Sequence, residues 1–383
     1  PHSSVDYTVL ESYGVFLKSQ DGALGRDLWR GTKRSQLTDK LPALPAQEDF
    51  HTLQDLVKRV LGTAIDVGLI KNDTKPQPGN DITTLRLEKL LETGAYTEAM
   101  ALYTKHPDPP YHERYARAGV LSALYNRQPT LACLEVKVVE SRFSDVLFWQ
   151  QVSKICSYIL SKGRGIKTIR PQIPESKILQ RLVDKDRYRF SVRKTEDFKD
   201  LTPLEAAILA AENRFDLSGL RLETPEDLPQ HVLLLILQDP SLRSEQKFHL
   251  FLEGVRSGAL PITALATYYE EQADSFFGKA QKTSLADYKK IEDWKRAPYL
   301  NRAALNTTKD QEKPVIVEHA LDLAQSYGEV ALWPFAKIFA EIDPETLTRD
   351  SIRRGFSILL AGNIDIPRIW AEARFKELLD GSK

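Results

Sequence analysis

Three places in the 383-residue chain contain residue types and spacings that could support chemistry. His112 and Glu113 begin the HExxH pattern, in which two histidines on one helical face bind zinc, but an alanine stands at the second histidine position. Residues 161–168, SKGRGIKT, contain the glycines and lysine of a phosphate-binding loop, but isoleucine separates the last glycine from the lysine and no apolar strand precedes them. Glu270 and Glu271 are adjacent on a predicted helix and therefore do not face each other.

None of these patterns is complete, so we predict a chain without catalytic residues, cofactor or metal site. The seven histidines are never paired at helical spacing, and the sequence contains no nucleophile elbow and no dinucleotide-binding glycine pattern. One enzymatic alternative stays open, because a fold can bring together two carboxylates that are distant in sequence, as a helical-toroid glycosidase requires.

The two cysteines, Cys133 and Cys156, lie in apolar segments that are predicted to be helical. A free thiol in such a position usually behaves as a small core residue. The alternative is a disulfide between two neighbouring helices in an oxidising compartment. The sequence leaves both states open.

The overall charge is balanced, with 53 Lys and Arg against 53 Asp and Glu. No whole-chain field therefore attracts nucleic acid or a membrane surface. The longest aliphatic run, residues 232–237, is far shorter than the roughly 20 residues that a membrane-spanning helix needs. The chain begins at Pro1, so a leader could have been removed, and we expect a soluble protein of either the cytoplasm or the periplasm.

Charge is nevertheless segregated along the chain. Residues 162–194 contain eleven Lys or Arg against three acidic residues, and residues 196–227 contain nine acidic residues against three basic ones. Either these blocks neutralise each other across adjacent elements, or the basic block docks an acidic partner or an anionic polymer. Arginine and aromatic residues are favoured at binding hot spots. The partner-binding candidates are Arg181, Lys185, Arg187, Tyr188, Arg189, Phe190, Arg193 and Lys194.

The same segment predicts a short β-strand in an otherwise helical chain. In residues 187–194, RYRFSVRK, alternation places Arg187, Arg189 and Arg193 on one face of an extended backbone. Because residues 163–174 also lack a helical pattern, we predict a junction between two helical regions in this part of the chain.

Most of the remaining sequence shows the apolar spacing of amphipathic helices. Residues 1–48 contain four glycines and the sequence LPALP, which predicts an N-terminal arm or cap with short helices. We expect the three later tryptophans, Trp294, Trp333 and Trp370, to pack between helix pairs, with an exposed aromatic groove as the alternative. Helices are predicted at residues 48–67, 81–93, 95–106, 111–124, 129–139, 147–160, 203–213, 228–238, 244–257 and 261–272.

Residues 93–107, TGAYTEAMALYTKHP, carry a motif of helical-repeat proteins. A glycine, Gly94, turns the chain, a small residue, Ala99, allows two helices to approach, and an aromatic residue, Tyr103, follows one turn later. In these residues the chain resembles the tetratricopeptide-like helical-repeat superfamily. The preceding residues 83–90, TTLRLEKL, lack the bulky residue and the Leu-Gly pair of that family. The resemblance therefore implies stacked helical hairpins without implying a particular peptide-binding groove.

From these patterns we expect an all-α chain in the form of an irregular α-solenoid of stacked helical hairpins. It would comprise an N-terminal arm or cap (1–48), a helical-repeat region (49–162), a basic junction with a short β insertion near 185–194 (163–200) and a second helical-repeat region (201–383).

Solenoids expose long surfaces, so the expected function is a non-enzymatic scaffold or adaptor that binds another protein on its concave helical surface. The alternative is a cell-envelope accessory factor that binds an acidic partner or an anionic polymer through residues 162–194. A helical-toroid enzyme is the third hypothesis. Nucleic acid is not expected, because a helical-repeat RNA reader would show an evenly basic inner face and a regular repeat.

Overall fold

A computed structural model describes residues 6–45, 51–106, 112–162, 168–222, 228, 230–278, 285–307, 310–362 and 364–381. In these residues the protein is all-α, as the sequence predicts, with 18 α-helices, short 3-10 turns and one pair of two-residue strands. The centre of the segment that resembles a phosphate-binding loop, residues 163–167, lies outside the described residues, together with two lysine or arginine positions of the basic block.

The chain divides into two compact units, residues 1–247 with 257–259 and residues 248–256 with 260–383. The helices and strands of the first unit are α1 (Tyr7–Ser12), α2 (Arg34–Ala43), α3 (His51–Gly62), α4 (Ile82–Glu92), α5 (Tyr96–Tyr103), α6 (Glu113–Tyr125), α7 (Pro129–Val139), α8 (Leu147–Lys162), α9 (Lys177–Asp184), β1 (Phe190–Ser191), α10 (Pro203–Ala211), β2 (Phe215–Asp216) and α11 (Gln230–Leu237). Helix α12 (Ser244–Arg256) includes the boundary. The second unit continues with α13 (Ile262–Phe277), α14 (Arg296–Asn306), α15 (Lys313–Tyr327), α16 (Ala336–Glu341), α17 (Arg349–Ala361) and α18 (Arg368–Gly381).

Helices α4 and α5 form the hairpin that the motif at residues 93–107 predicts. The Asp81 carboxylate caps α4 by accepting a hydrogen bond from the backbone N–H of Thr84 at 2.8 Å. Gly94 turns the chain with a φ of +76°, which a residue with a Cβ adopts only with strain. Ala99 in α5 is completely buried. The hairpin is present, and membership of the tetratricopeptide superfamily stays a prediction.

In the first unit, each helix from α4 to α8 packs on the next helix along the chain, as in a helical-repeat region. Helix α6 also packs on α4, so alternate helices of the hairpins are neighbours. After the junction, α10 packs back on α6, and α11 contacts α4. In a one-dimensional solenoid each repeat contacts only its neighbours, so these returning helices depart from that arrangement. The irregular α-solenoid therefore stays a prediction.

Buried charges attach the N-terminal segment to α4. The Arg34 guanidinium makes two hydrogen bonds of 2.6 Å to the Glu11 carboxylate, and both side chains are almost completely buried. Glu11 also accepts a hydrogen bond of 2.9 Å from the backbone N–H of Ile82, the first residue of α4. In the same helix, Arg86 is buried and donates to three backbone carbonyls. These contacts fix α1, α2 and the end of α3 around α4.

A disulfide joins α7 to α8. Cys133 and Cys156 are bonded, with their Cα atoms 5.2 Å apart, and both side chains are completely buried. Of the two states that the sequence leaves open, the structure therefore has the bonded one.

Replacing Cys133 and Cys156 together by alanine is expected to lower the free energy of unfolding by about 3 kcal/mol, because the bond closes a loop of about two dozen residues in the unfolded chain. Urea unfolding followed by circular dichroism measures the loss. Wild-type protein treated with reductant should show a similar shift. Free thiols in unreduced, denatured wild-type protein would contradict the bonded state.

The core of the second unit is aromatic. Trp294 and Trp370 belong to its buried cluster, and Trp333 packs against that cluster while partly buried. The interpretation of these tryptophans as core residues is confirmed for Trp294 and Trp370. Trp370 lies against Gly355 of α17, where an added Cβ would come within 2.4 Å of the indole ring. A glycine is therefore needed there for α18 to reach α17.

Candidate functional site

The predicted basic segment has an extended backbone beside the strand pair. Phe190 and Ser191 of β1 pair in parallel with Phe215 and Asp216 of β2, which confirms the short β insertion. Side chains alternate as the sequence predicts: the arginines at 187, 189 and 193 are exposed, Tyr188 and Phe190 are half-buried, and Val192 is buried. The three arginines thus extend to the solvent side of the segment.

The neighbouring acidic block neutralises part of this basic segment. Arg193 forms an ion pair of 3.7 Å with Asp216, and a side-chain hydrogen bond from Ser218, together with the Arg193 charge, lowers the pKa of Asp216. The Asp197 carboxylate accepts hydrogen bonds from the backbone N–H groups of Arg193 and Lys194. Arg189 donates to the carbonyl oxygen of Phe215 at 3.1 Å.

The other basic candidates have no acidic partner in the described part of the chain. Arg181, near the end of α9, is exposed, as are Lys185 and Arg187 in the residues that follow. None of the three forms an ion pair with a described residue. The surface formed by Arg181, Lys185 and Arg187 is called the free basic edge below.

A groove runs along α6, and no sequence pattern indicated it. It consists of two adjoining cavities of about 220 and 330 Å³, which share Arg117, Leu121 and Pro203. The first cavity lies among α4, α6, α10 and α11, and its other lining residues are Glu88, Leu91, Glu92, Arg114, Ala118, Tyr125 and His231. The second lies among α6, α8 and α10 and is otherwise lined by Val146, Leu147, Phe148, Gln151, Thr202 and Leu204. We call both cavities together the α6 groove.

Local contacts hold two walls of the α6 groove, formed by α10 and α8, in place. Thr202 and Glu205 form a capping box, with Glu205 accepting from the Thr202 N–H at 2.9 Å and Thr202 accepting from the Glu205 N–H at 3.3 Å. This box fixes Pro203 at the first position of α10. On α8, the indole N–H of Trp149 donates to Glu113 of α6 at 3.0 Å, which ties α8 to α6.

The charged side chains at the α6 groove are already paired. Arg114 donates to the Glu88 carboxylate from Nε at 2.8 Å and from one of its two terminal nitrogens. Arg117 binds Glu113 at 2.6 Å and lies 5.0 Å from the ring centre of Phe148. Because these carboxylates are held by arginines, the groove offers an apolar surface with neutralised edges.

The imidazole of His231 belongs to the same lining. Burial lowers the pKa of His231, an effect that the nearby Glu92 charge only partly opposes. The ring is therefore neutral at pH 7 and adds no positive charge to the α6 groove.

His112, the residue that begins the incomplete zinc pattern, has a structural role. Its Nδ1 accepts from the backbone N–H of Tyr115 at 3.3 Å and so caps α6, while its Nε2 lies 3.1 Å from Asp81. Burial alone would raise the pKa of Asp81, but hydrogen bonds from His112 and Thr84 hold it below its usual value. A general base needs a ring nitrogen directed at a substrate, and here both nitrogens are used within the caps.

The described residues contain no group of three or more His, Cys, Asp or Glu side chains placed to hold a metal ion. Within the same ranges, every helix is too short or too polar to cross a lipid bilayer.

Comparison with known proteins gives no relative of this chain. No protein-family model, no curated protein and no solved structure matches it. Functional inference therefore rests on the geometry of the α6 groove and of the free basic edge.

Proposed function

We propose that this protein is a non-enzymatic scaffold that binds another protein by taking an apolar segment of it into the α6 groove. The observation that supports this proposal is the groove itself, which is open, apolar and bordered by arginines whose charges are already neutralised.

The openness of the two cavities to solvent favours a side chain of a longer segment over an enclosed small molecule. Pockets for small-molecule ligands typically measure about 300–1,000 Å³ and bury most of their ligand. Cavities of about 220 and 330 Å³ that are open to solvent suit one or two large apolar side chains of a longer segment. Two neighbouring anchors of this kind are common where a groove binds a helix.

The groove is also poorly suited to the enzymatic alternative. A glycosidase needs one carboxylic acid and one carboxylate facing the substrate. Glu88 and Glu113 are instead held in ion pairs with Arg114 and Arg117, respectively. This pairing favours a binding role over acid–base catalysis.

Site-specific photo-crosslinking tests the proposal. A crosslinking amino acid at position 121, in the α6 groove, should capture one defined protein in the source cells, through a single segment rich in apolar residues. The matched control carries the same amino acid at position 134, where Leu134 is 55% exposed on α7 and outside the groove. Identical crosslinked products from both positions would contradict a specific groove.

The free basic edge supports a second candidate, a cell-envelope factor that binds an acidic protein or an anionic polymer. Arg181, Lys185 and Arg187 are exposed without a described acidic partner. The disulfide is compatible with this role, because such bonds persist in oxidising compartments, including the bacterial periplasm.

Charge reversal separates this candidate from the first. Changing Arg181, Lys185 and Arg187 to glutamate should abolish a salt-sensitive interaction, because exposed charges act mainly through screened electrostatics. Crosslinking at position 121 should be unaffected. Reversal that leaves all interactions intact at low salt would exclude the basic edge as a docking surface.

A further inference from the structure

Helix α18 presents an apolar face to solvent. Phe375, Leu378 and Leu379 are 63%, 53% and 54% exposed, and Ala371 is exposed beside them. Their spacing of i, i+4, i+7 and i+8 puts all four side chains on one side of the helix. We call these four residues the outer face of α18.

The opposite side of α18 is already used for packing within the second unit. Trp370 is completely buried, and its ring centre lies 6.3 Å from that of Phe339. Ala373, Arg374 and Glu377, which lie on the same side as Trp370, are partly buried. The outer face is therefore a second apolar surface of a helix that is already anchored. An exposed apolar patch rimmed by polar residues often marks a site where another surface packs.

The charges beside the outer face indicate what covers it. Glu372 and Lys376 are four residues apart, so they lie along the same edge of the apolar side chains. Lys376 has no ion pair with a described residue, and Glu372 binds only Arg368, at 2.6 Å, in a pair whose side chains are 90% and 61% exposed. Both side chains can therefore pair with charges on another surface without breaking a strong ion pair.

We propose that α18 pairs antiparallel with α18 of a second copy of this chain. A two-fold axis brings the same edge of each helix together, so a residue i that contacts j is matched by j contacting i. With the axis near residue 374, Glu372 of each copy lies opposite Lys376 of the other. Phe375, one residue from the axis, then lies next to Phe375 of the partner copy at the centre of the contact. This inference is independent of the α6 groove.

One helix from each copy forms a small interface, so the dimer should be reversible. Sedimentation velocity of the full chain from about 1 to about 100 µM should show a concentration-dependent shift from monomer to dimer. Phe375→Glu should weaken the association by at least about tenfold, because it places two charges in the centre of the apolar contact. The matched control is Leu305→Glu, since Leu305 is 61% exposed on α14, and it should leave the dimer unchanged.

Charge reversal then tests whether the surface that covers the outer face is α18 of a second copy in the antiparallel arrangement. Glu372→Lys alone and Lys376→Glu alone should each weaken the dimer, because each places like charges opposite each other twice. An equal mixture of the two single variants should associate, since their heterodimer has only opposite charges facing each other. The double variant should also dimerise.

Three results would overturn the proposal. A wild-type chain that stays monomeric throughout the concentration range removes the dimer. A dimer that persists in the Phe375→Glu variant places the interface elsewhere. A mixture of the single variants that associates no better than either alone rules out the antiparallel arrangement. Circular dichroism of each variant confirms that α18 and the rest of the chain stay folded.

Discussion

Replacing Glu11 by glutamine is expected to destabilise the first unit by about 3–5 kcal/mol, although the two side chains have nearly the same shape. The Glu11 and Arg34 side chains are 0% and 2% exposed, and two hydrogen bonds of 2.6 Å join them. Glutamine leaves the guanidinium charge buried without a counter-charge, and burial of an unpaired charge is costly. Urea unfolding followed by circular dichroism measures the loss.

A double-mutant cycle separates the ion pair from other effects of the change. Arg34→Met should also be strongly destabilising, but the Glu11→Gln/Arg34→Met double variant should lose much less than the sum of the single variants, because no unpaired charge remains. The matched control is Asp39→Asn, since the pair of Asp39 with Lys40 is 69% and 77% exposed. It should change stability by less than about 0.5 kcal/mol. Additive single effects would contradict a buried ion pair.

Replacing Arg86 by methionine is expected to lower the free energy of unfolding by about 3 kcal/mol, because it removes the donors for three backbone carbonyl groups, two of them in buried contacts. The Arg86 guanidinium donates to the carbonyl oxygens of Leu61, Tyr13 and Thr63 at 2.5, 2.8 and 2.8 Å. Burial lowers the pKa of Arg86 to about 10, so the side chain is still charged at neutral pH. Because methionine fills a similar volume, the loss in free energy of unfolding comes mainly from the carbonyl groups left without a donor.

The variant Arg86→Lys separates the contribution of the charge from that of the three hydrogen bonds. Lysine keeps the charge, but it is a compact ammonium group that lacks the planar fork of arginine, so Arg86→Lys should recover only part of the stability. Arg30→Met is the matched control, because the Arg30 side chain is 65% exposed, and it should be nearly neutral. Full recovery by lysine would show that charge alone, and not the three directed hydrogen bonds, is what the site requires.

Local sequence signals predicted individual helices well. The bounds predicted for α7, residues 129–139, are those in the structure, because Pro129 begins the helix and apolar residues follow at helical spacing. The cap at Asp81 and the turn at Gly94 were also predicted, since both depend on one residue and its immediate neighbours. The alternation of exposed and buried side chains around Phe190 was predicted as well, because it follows from the extended backbone of that segment alone.

The contacts between distant segments could not be predicted in this way. The α6 groove combines Leu91, Leu121, Phe148 and Pro203 from four helices, and no pattern within one helix identifies its neighbours. Buried charges were also missed. Arg86 lies in a helix pattern typical of a surface arginine, and only the carbonyl groups of α3 and the N-terminal segment explain its burial.

The basic block and the acidic block that follows it were predicted from the sequence, but their contacts were not. The sequence left open whether the basic and acidic blocks neutralise each other or whether the basic block binds a partner. The structure pairs Arg193 with Asp216 and leaves Arg187 without a described acidic partner. Neutralisation is therefore shown for Arg193, and the binding role of the other basic residues stays a prediction.

The measurement that tests the scaffold proposal most directly is the affinity of the crosslinked partner segment, as a purified peptide, for the 383-residue chain. Fluorescence anisotropy should give at least about a tenfold weaker affinity for Leu121→Glu than for wild type, because burial of one large apolar side chain contributes about 1.5–3 kcal/mol. Leu134→Glu should bind like wild type. Equal affinities for the wild-type chain and the Leu121→Glu variant would contradict binding in the α6 groove.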